Sequence, residues 1–310
     1  MSATAAPNRV VLATAGYDHQ IKFWEASTGI CYRTIQYADS QINRLEITPD
    51  KLHIAAAGNP QVRFFDIQSN TPNPVYSYDG HKSNVTALGF QKDGKWMYTA
   101  SEDNTIKIWD LRAPGCQRNY ECTGSVNTAV LHPNQVEILS GDQNGNIRVW
   151  DLTANGCSRE LIPDGDNAIR SLSVAADGSK VCAANNPGKC FIWKLGEKDT
   201  STFDPLTKID VCNTYVLKTT FSQDGKWLAA SCADNTTKLF SCAKDFELSK
   251  MLHGHTRWVW DCVFSAGSDY LVTASSDGSA KLWDINQGDP IRNYSGHSKS
   301  ITCVALNDTA

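Results

Sequence analysis

The apolar positions of this chain fall in short runs broken by turn residues, and none keeps a 3.6-residue stripe over the length of a helix. Residues 273–284, TASSDGSAKLWD, show the unit. Thr273 to Ser275 closes one strand, Asp277-Gly278 is a strong two-residue hairpin signal, and Ala280 to Trp283 forms the next strand from small, branched and aromatic residues. A near-copy, TASEDNTIKIWD, occupies residues 99–110, and Asp-Gly turns recur at 93–94, 177–178 and 224–225. The pattern predicts an all-β chain built from repeated hairpins.

The aromatic that ends the second hairpin strand gives the period. It recurs as Trp24, Phe65, Trp109, Trp150, Trp193, Phe240 and Trp283, at steps of 41, 44, 41, 43, 47 and 43 residues. Seven units of this length, each with room for four short strands, predict a seven-bladed β-propeller. Gly-His pairs at 80–81, 254–255 and 296–297 give a second marker. His81 and His255 each stand 22 residues before an Asp (Asp103, Asp277). A Thr lies four residues before that Asp (Thr99, Thr273), and a Trp six after it (Trp109, Trp283). This Gly-His to Trp-Asp pattern resembles the WD-repeat family over nearly the whole chain. The resemblance implies that His, Thr, Asp and Trp of one unit form a hydrogen-bonded network inside one blade.

The first unit has Thr14, Asp18 and Trp24 but no upstream Gly-His, and too few residues precede Val10 for another strand. The other end of the chain carries Gly296-His297 and a strand-like run at 301–306. The spare half matches the missing half. Residues 301–306 are therefore expected as the inner strand of the first blade, with His297 bonding into the Thr14/Asp18/Trp24 cluster. Closure of this kind removes the unpaired edges of an open ring.

Bulk properties narrow the function classes. The unbroken repeat favours one propeller over residues 9–310, after a flexible leader at 1–8 that has neither the basic start nor the apolar core of a signal peptide. No apolar run approaches the roughly 20 residues of a membrane span, so no membrane insertion is expected. A net charge of −4 disfavours nucleic acid, which needs a clustered basic face. The 11 cysteines form no C-x-x-C pair, and several fall inside expected strands. They read as reduced thiols filling small core positions, with no metal site.

Other units are degraded. The unit of Phe65 has Ala55 and Asn59 at the hydroxyl and Asp places, with Ser40-Gln41 for Gly-His. That of Trp150 keeps Ser140 but has Asn144 for Asp, and that of Trp193 has Ala183 and Pro187. Residues 196–208 are polar and turn-rich, an expected surface loop. The His/Thr/Asp sets are not read as hydrolase triads. A Thr nucleophile needs a free N-terminal amine or a comparable base, and three near-copies in one chain fit a structural network better. Residues 185–189, NNPGK, lack the phosphate-loop pattern. No cofactor is expected.

A partner is expected at the channel rim that follows the Gly-His side. Aligned on the last apolar residue of each inner strand, the places six and four residues earlier include Asn43, Tyr215, Trp258 and Trp260. Residues just before the turn Asp add Tyr17 and Glu102. Most of this ring is small and polar. The exception is the sector of Trp258 and Trp260, with Arg257 adjacent and Tyr215 and Tyr17 on neighbouring blades, which has the composition of a binding hot spot. Aromatics here also pack blades together, so both roles compete for the two Trp.

Residues 14–51, 73–80, 131–152, 257–265 and 273–277 are similar to a narrower group, the lethal-with-sec-thirteen family of small propeller subunits of target-of-rapamycin kinase complexes. The likeness spans all seven units, degraded ones included, and is weakest at 196–208 and before Gly254. It implies a non-catalytic scaffold subunit that binds the kinase domain of a target-of-rapamycin-type, phosphatidylinositol-kinase-related protein kinase, alongside further subunits. It implies support of the active-site region in growth and nutrient signalling, in the cytoplasm and on endomembranes through the kinase. A G-protein β-like subunit would need a long N-terminal coiled coil, a ubiquitin-ligase receptor an adaptor motif, and a propeller enzyme more than the carboxylate Glu102 and the guanidinium Arg170 at the rim. A generic peptide- or protein-binding propeller adaptor remains the alternative.

Overall fold

The computed structural model describes residues 10–196 and 200–309. The leader expected at 1–8 lies outside the described residues, as do 197–199 of the polar stretch. Among the described residues, 28 strands form seven four-stranded antiparallel sheets, with one short 3₁₀ turn at Cys242–Lys244. Blades 2 to 7 each use four consecutive strands, and their inner strands are Arg44–Ile47, Val85–Phe90, Val126–Leu131, Ile169–Val174, Val216–Phe221 and Val259–Phe264. Each inner strand neighbours the next in cyclic order, so the sheets close into a seven-bladed ring.

Blade 1 joins both ends of the chain. Its strands Val11–Gly16, Gln20–Trp24 and Cys31–Gln36 take Ile301–Asn307 as the inner strand, in register from Val11 opposite Asn307 to Ala15 opposite Cys303. The closure expected from the spare half-unit is present.

The second strand of each blade is short, small and almost wholly buried. Val11–Gly16 is buried at every position, and the HIAAA, WMYTAS and WLAASC strands at five-residue or six-residue length show the same burial after their first residue. Small side chains there let neighbouring sheets approach, and the apolar clusters accordingly lie between blades. Leu12 and Trp24 of blade 1, for example, pack with Val272, Ala280 and Tyr294 of blade 7. One expectation is corrected. The second half of 196–208 is no surface loop: Phe203–Asp210 is the outer strand of blade 5, paired along Lys189–Leu195. Thr200 is buried, and its N–H and hydroxyl both donate to the Glu137 carboxylate, at 3.0 and 2.7 Å. Polar composition hid a strand because outer strands are half-solvated.

The cysteine expectation also needs correcting. All 11 are free thiols, and Cys182, Cys190, Cys232, Cys262 and Cys303 are buried filler. Cys116 and Cys157 are exposed on outer strands.

Candidate functional site

Three blades carry the same internal relay. In blade 7 the Trp283 indole N–H donates to Thr273 Oγ1 at 2.8 Å, and Thr273 lies 2.7 Å from His255 Nε2. His255 Nδ1 lies 2.8 Å from Asp277 Oδ2. Blade 3 repeats it through Trp109, Thr99, His81 and Asp103 at 2.9, 2.7 and 2.9 Å. In blade 1 the relay crosses the chain ends: Trp24 to Thr14 at 2.7 Å, Thr14 to His297 at 2.8 Å, His297 to Asp18 at 2.8 Å. The donors set the tautomer. Thr oxygen accepts from indole, so its own proton points at Nε2, and Nδ1–H is left to face the carboxylate. Each polar atom is thereby used inside a nearly dry sheet, which is glue rather than a nucleophile and its base.

The electrostatics agree. Burial opposes the charge on Asp277, but hydrogen bonds from His255, Ser279 and the Thr256 N–H outweigh it and hold the carboxyl well below its usual range. Burial likewise lowers the His81 pKa despite Asp103 beside it. Both shifts act in acid. A carboxyl depressed by folding contributes stability above its unfolded value, near 3.9, and loses it as pH falls toward the folded one. A His depressed by folding resists charging, so its loss begins below about 6.5. Thermal stability is expected to decline below about pH 6.5 and to steepen below about 4. Asp277→Asn should flatten the steep limb, and a melting temperature of the parent unchanged from pH 7 to 3 would refute the relay's role. Trp283→Ala should cost about 3–5 kcal/mol through the cavity it leaves.

Degraded blades use other chemistry in the same place. In blade 4, Trp150 still donates to Ser140 Oγ at 2.8 Å. The acid, however, is Asp142 rather than the Asn144 position, and it binds Arg148 at 2.7 Å. In blade 6 the Lys238 ammonium pairs with Asp234. In blade 2, Ser40 Oγ accepts the Asn59 N–H at 3.0 Å and Tyr37 OH reaches Gln61 O at 3.0 Å. The sequence signal for blade 4 was an acid two residues early with a basic residue inside the strand.

The rim rests on a repeated backbone device. In six blades the residue before the turn donates its N–H to the residue that enters the inner strand: Tyr17 to Ser300, Glu102 to Asn84, Gln143 to Ser125, Asn186 to Ala168, Ala233 to Tyr215 and Ser276 to Trp258. The inner strand then bulges. The register breaks around Thr86, Asn127, Arg170, Leu217, Trp260 and Thr302. A bulge re-aims a side chain that pairing would send to the opposite face. These six, with Asn43 of blade 2, accordingly line one polar channel mouth of about 490 Å³. Periodicity alone does not show the bulge; its trace is the shared four-residue offset.

The structure groups most of the expected contact residues. Trp258 is 42 % exposed and meets Tyr215, also 42 % exposed, edge-on at 5.9 Å. Trp260 tilts against Trp258 at 5.6 Å, is half-buried, and donates its indole N–H to Ser276 Oγ at 2.6 Å. Tyr17, 43 % exposed, lines the channel mouth with Trp260 and a neighbouring concavity with Arg257, which is exposed. Glu102 is exposed but accepts Asn84 Nδ2 at 2.8 Å. Asn43 lies apart from this sector in role: its amide donates to Val85 O at 3.2 Å and ties blade 2 to blade 3.

Below the mouth the channel wall carries charges that the sequence reading missed. Arg44 Nη1 of blade 2 binds Asp261 Oδ2 of blade 7 at 3.0 Å, and the same oxygen accepts the Val304 N–H of blade 1 at 3.1 Å. Burial works against the Arg44 charge, and Asp261 and Glu46 more than offset it, so the guanidinium titrates above its ordinary range. Burial also lowers the Lys218 pKa, with Arg44 adding to it.

No helix among the described residues is long and apolar enough to cross a membrane. Residues 72–110, 115–151, 204–241 and 246–284 match the family described as WD domain, G-beta repeat. The unmatched stretches contain the blades with degraded relays at Phe65 and Trp193. The chain is 61% identical to the Dictyostelium discoideum "Protein LST8 homolog" over 232 residues, covering 75% of this chain and 76% of that protein. It is 52% identical over 300 residues to the Saccharomyces cerevisiae "Target of rapamycin complex subunit LST8", covering 96% and 99%. It is 44% identical over 319 residues to the mouse protein of the same name, covering 99% and 97%. With seven WD-type blades and this likeness across nearly its whole length, the chain belongs to the LST8 family.

Proposed function

We propose that this chain is a non-catalytic subunit of a target-of-rapamycin kinase complex, holding the kinase domain with the aromatic sector of its rim and supporting the active-site region. The names of its relatives support the complex. The exposed Trp258–Tyr215 pair carries the choice of surface. Two large rings standing half in water on a mostly polar rim contribute little to their own fold, and such residues dominate binding when a partner desolvates them. Arg257 beside them supplies a cation for an acidic or carbonyl-rich partner edge. The relay's buried His, Thr and Asp are occupied with one another, which supports a binding rather than a catalytic role. A cytoplasmic location, reaching endomembranes through the kinase, belongs to the same reading.

The test is binding of the folded chain to the recombinant kinase domain. Trp258→Ala with Tyr215→Ala should weaken it at least thirtyfold, since two hot-spot losses exceed about 2 kcal/mol. The melting temperature should move little, because both rings are half-exposed. Trp260→Ala is a poorer probe, as it also breaks the bond to Ser276. Unchanged kinase affinity in the folded double variant would move the interface elsewhere on the ring. Failure of the parent to bind any such kinase, with tight binding of a short peptide at the channel mouth, would favour the general peptide-binding adaptor.

A further inference from the structure

Between blades 5 and 6 the chain passes through a connector, residues 211–215, that leads from the outer strand Phe203–Asp210 to the inner strand Val216–Phe221. Cys212 lies in this connector and is half-buried; Cys232 ends the strand Trp227–Cys232 and is fully buried. Their sulfurs and a carboxylate oxygen of Asp234 all lie within 4.8 Å of one another. We propose that Cys212 and Cys232 are an oxidisable dithiol, which a hydroperoxide converts into an intramolecular disulfide tying the connector to blade 6.

The environment divides the roles. Thr214 Oγ1 donates to Cys212 Sγ at 3.6 Å. The neighbouring Cys232 thiol pulls the Cys212 pKa down to about 6 against the opposing effect of burial, and the Thr214 contacts add to it. Cys232 shifts the other way, through that same pairing and its burial. The opposite shifts favour the thiolate on Cys212, the half-buried member, with Cys232 kept as the thiol behind it. The thiolate is the nucleophile in thiol chemistry. Cys212 sulfur attacks one peroxide oxygen, the O–O bond breaks, and the departing hydroxide takes a proton to leave as water. The product is Cys212 sulfenic acid. Cys232 sulfur then attacks the Cys212 sulfur, the S–OH bond breaks, and the Cys232 proton leaves with hydroxide as a second water. Two thiols have given up two electrons, and the peroxide has been reduced by the same two.

Two features favour this over a metal site. Asp234 is already bonded to the Lys238 ammonium and to the Thr236 hydroxyl, so its oxygens are engaged and a fixed positive charge stands beside them. The Val211 and Cys212 N–H groups rest on Gly188 O, so the remaining gap to a bond of about 2.05 Å closes by rotation of the two side chains.

The test treats the full reduced chain with a few equivalents of hydrogen peroxide at pH 7, quenches with N-ethylmaleimide and maps every cysteine by mass spectrometry. A thiol with the lowered pKa is mostly thiolate at pH 7, against a few per cent for an ordinary one, and its lower intrinsic nucleophilicity trims that advantage to about two- to threefold. The expected result is a Cys212–Cys232 linked peptide appearing about two- to threefold faster than oxidation of the exposed Cys116 or Cys157, and reversed by dithiothreitol. In Cys232→Ala, Cys212 should accumulate as a sulfenic acid trapped by dimedone, whereas Cys212→Ser should leave Cys232 reduced. The parent map decides the matter even if a variant fails to fold. Oxidation of Cys212 no faster than of Cys116 and Cys157 would overturn the proposal. So would a stoichiometric zinc ion that co-purifies with the reduced chain and is lost in Cys212→Ser.

Discussion

Deletion of residues 295–310 will abolish cooperative unfolding, although it removes only the last strand and its lead-in. That strand is the inner strand of blade 1, and its loss acts in three places. The Val11–Gly16 strand loses its ladder from Val11 opposite Asn307 to Ala15 opposite Cys303. Thr14 and Asp18 lose His297, so a nearly dry carboxylate, 2 % exposed on its side chain, is left without its imidazole. The inner strands Val259–Phe264 and Arg44–Ile47 lose the neighbour between them. Ile301, Cys303, Val304 and Ala305 are all buried. At about 1.5–3 kcal/mol for each large apolar side chain, and less for Ala, these residues and the surfaces they cover amount to several kcal/mol. Native domains have only about 5–15 kcal/mol in total. The truncated chain should show no sharp calorimetric transition and should expose the Val11–Gly16 edge to aggregation. His297→Ala, which keeps the strand and removes only the relay, should still melt cooperatively at a temperature several degrees lower. A truncated chain that melts sharply at the parent temperature would show that the ring does not depend on its closure.

How much of this was legible in the sequence depends on where the chemistry repeats. Trp24, Trp109 and Trp283 recur with Thr ten residues before each, and the Gly-His pairs fix the remaining partner, so three relays and the closure were readable from spacing. Blades 2, 4 and 6 fill the His place with other groups. Arg148 with Asp142 in blade 4, and Lys238 with Asp234 in blade 6, replace a His–Asp pair by an ion pair; Asp234 keeps the six-residue offset to Phe240, but the basic partner comes from inside the strand, where no Gly-His marks it. Residues 203–208 read as loop because an outer strand needs few apolar positions. The rim was readable as a set of positions, but the reason for it was not. Alternation would send Trp260 and Asp261 to opposite faces. The bulge between Val259 and Asp261 puts both on the channel.

That bulge sets up the second large effect, which is expected at Asp261. Its carboxylate is 4 % exposed and holds Arg44 across the closing blade, while also accepting the Val304 N–H. One side chain thus links blade 7, blade 1 and blade 2 at the junction where the ring is completed. Asp261→Ala leaves the Arg44 guanidinium partly buried with only Glu46 nearby, at 3.8 Å, and leaves a buried N–H unpaired. Breaking one side of a buried ion pair costs about 3–5 kcal/mol, or a fall of roughly 6–20 °C at 2–4 °C per kcal/mol for a large domain. The pair itself need not be favourable, because desolvating two charges offsets most of their attraction. Arg44→Met combined with Asp261→Leu should therefore recover most of the loss, to within about 2 kcal/mol of the parent, with the Val304 N–H accounting for the remainder. The cycle of parent, Arg44→Met, Asp261→Leu and the double, read by thermal melting, separates a strap from a mere neighbour. Strong coupling, with the double variant more stable than Asp261→Ala, is the expected outcome. Additive losses would mean that Arg44 and Asp261 act independently and that the aromatic rim above them is held by the backbone rungs alone.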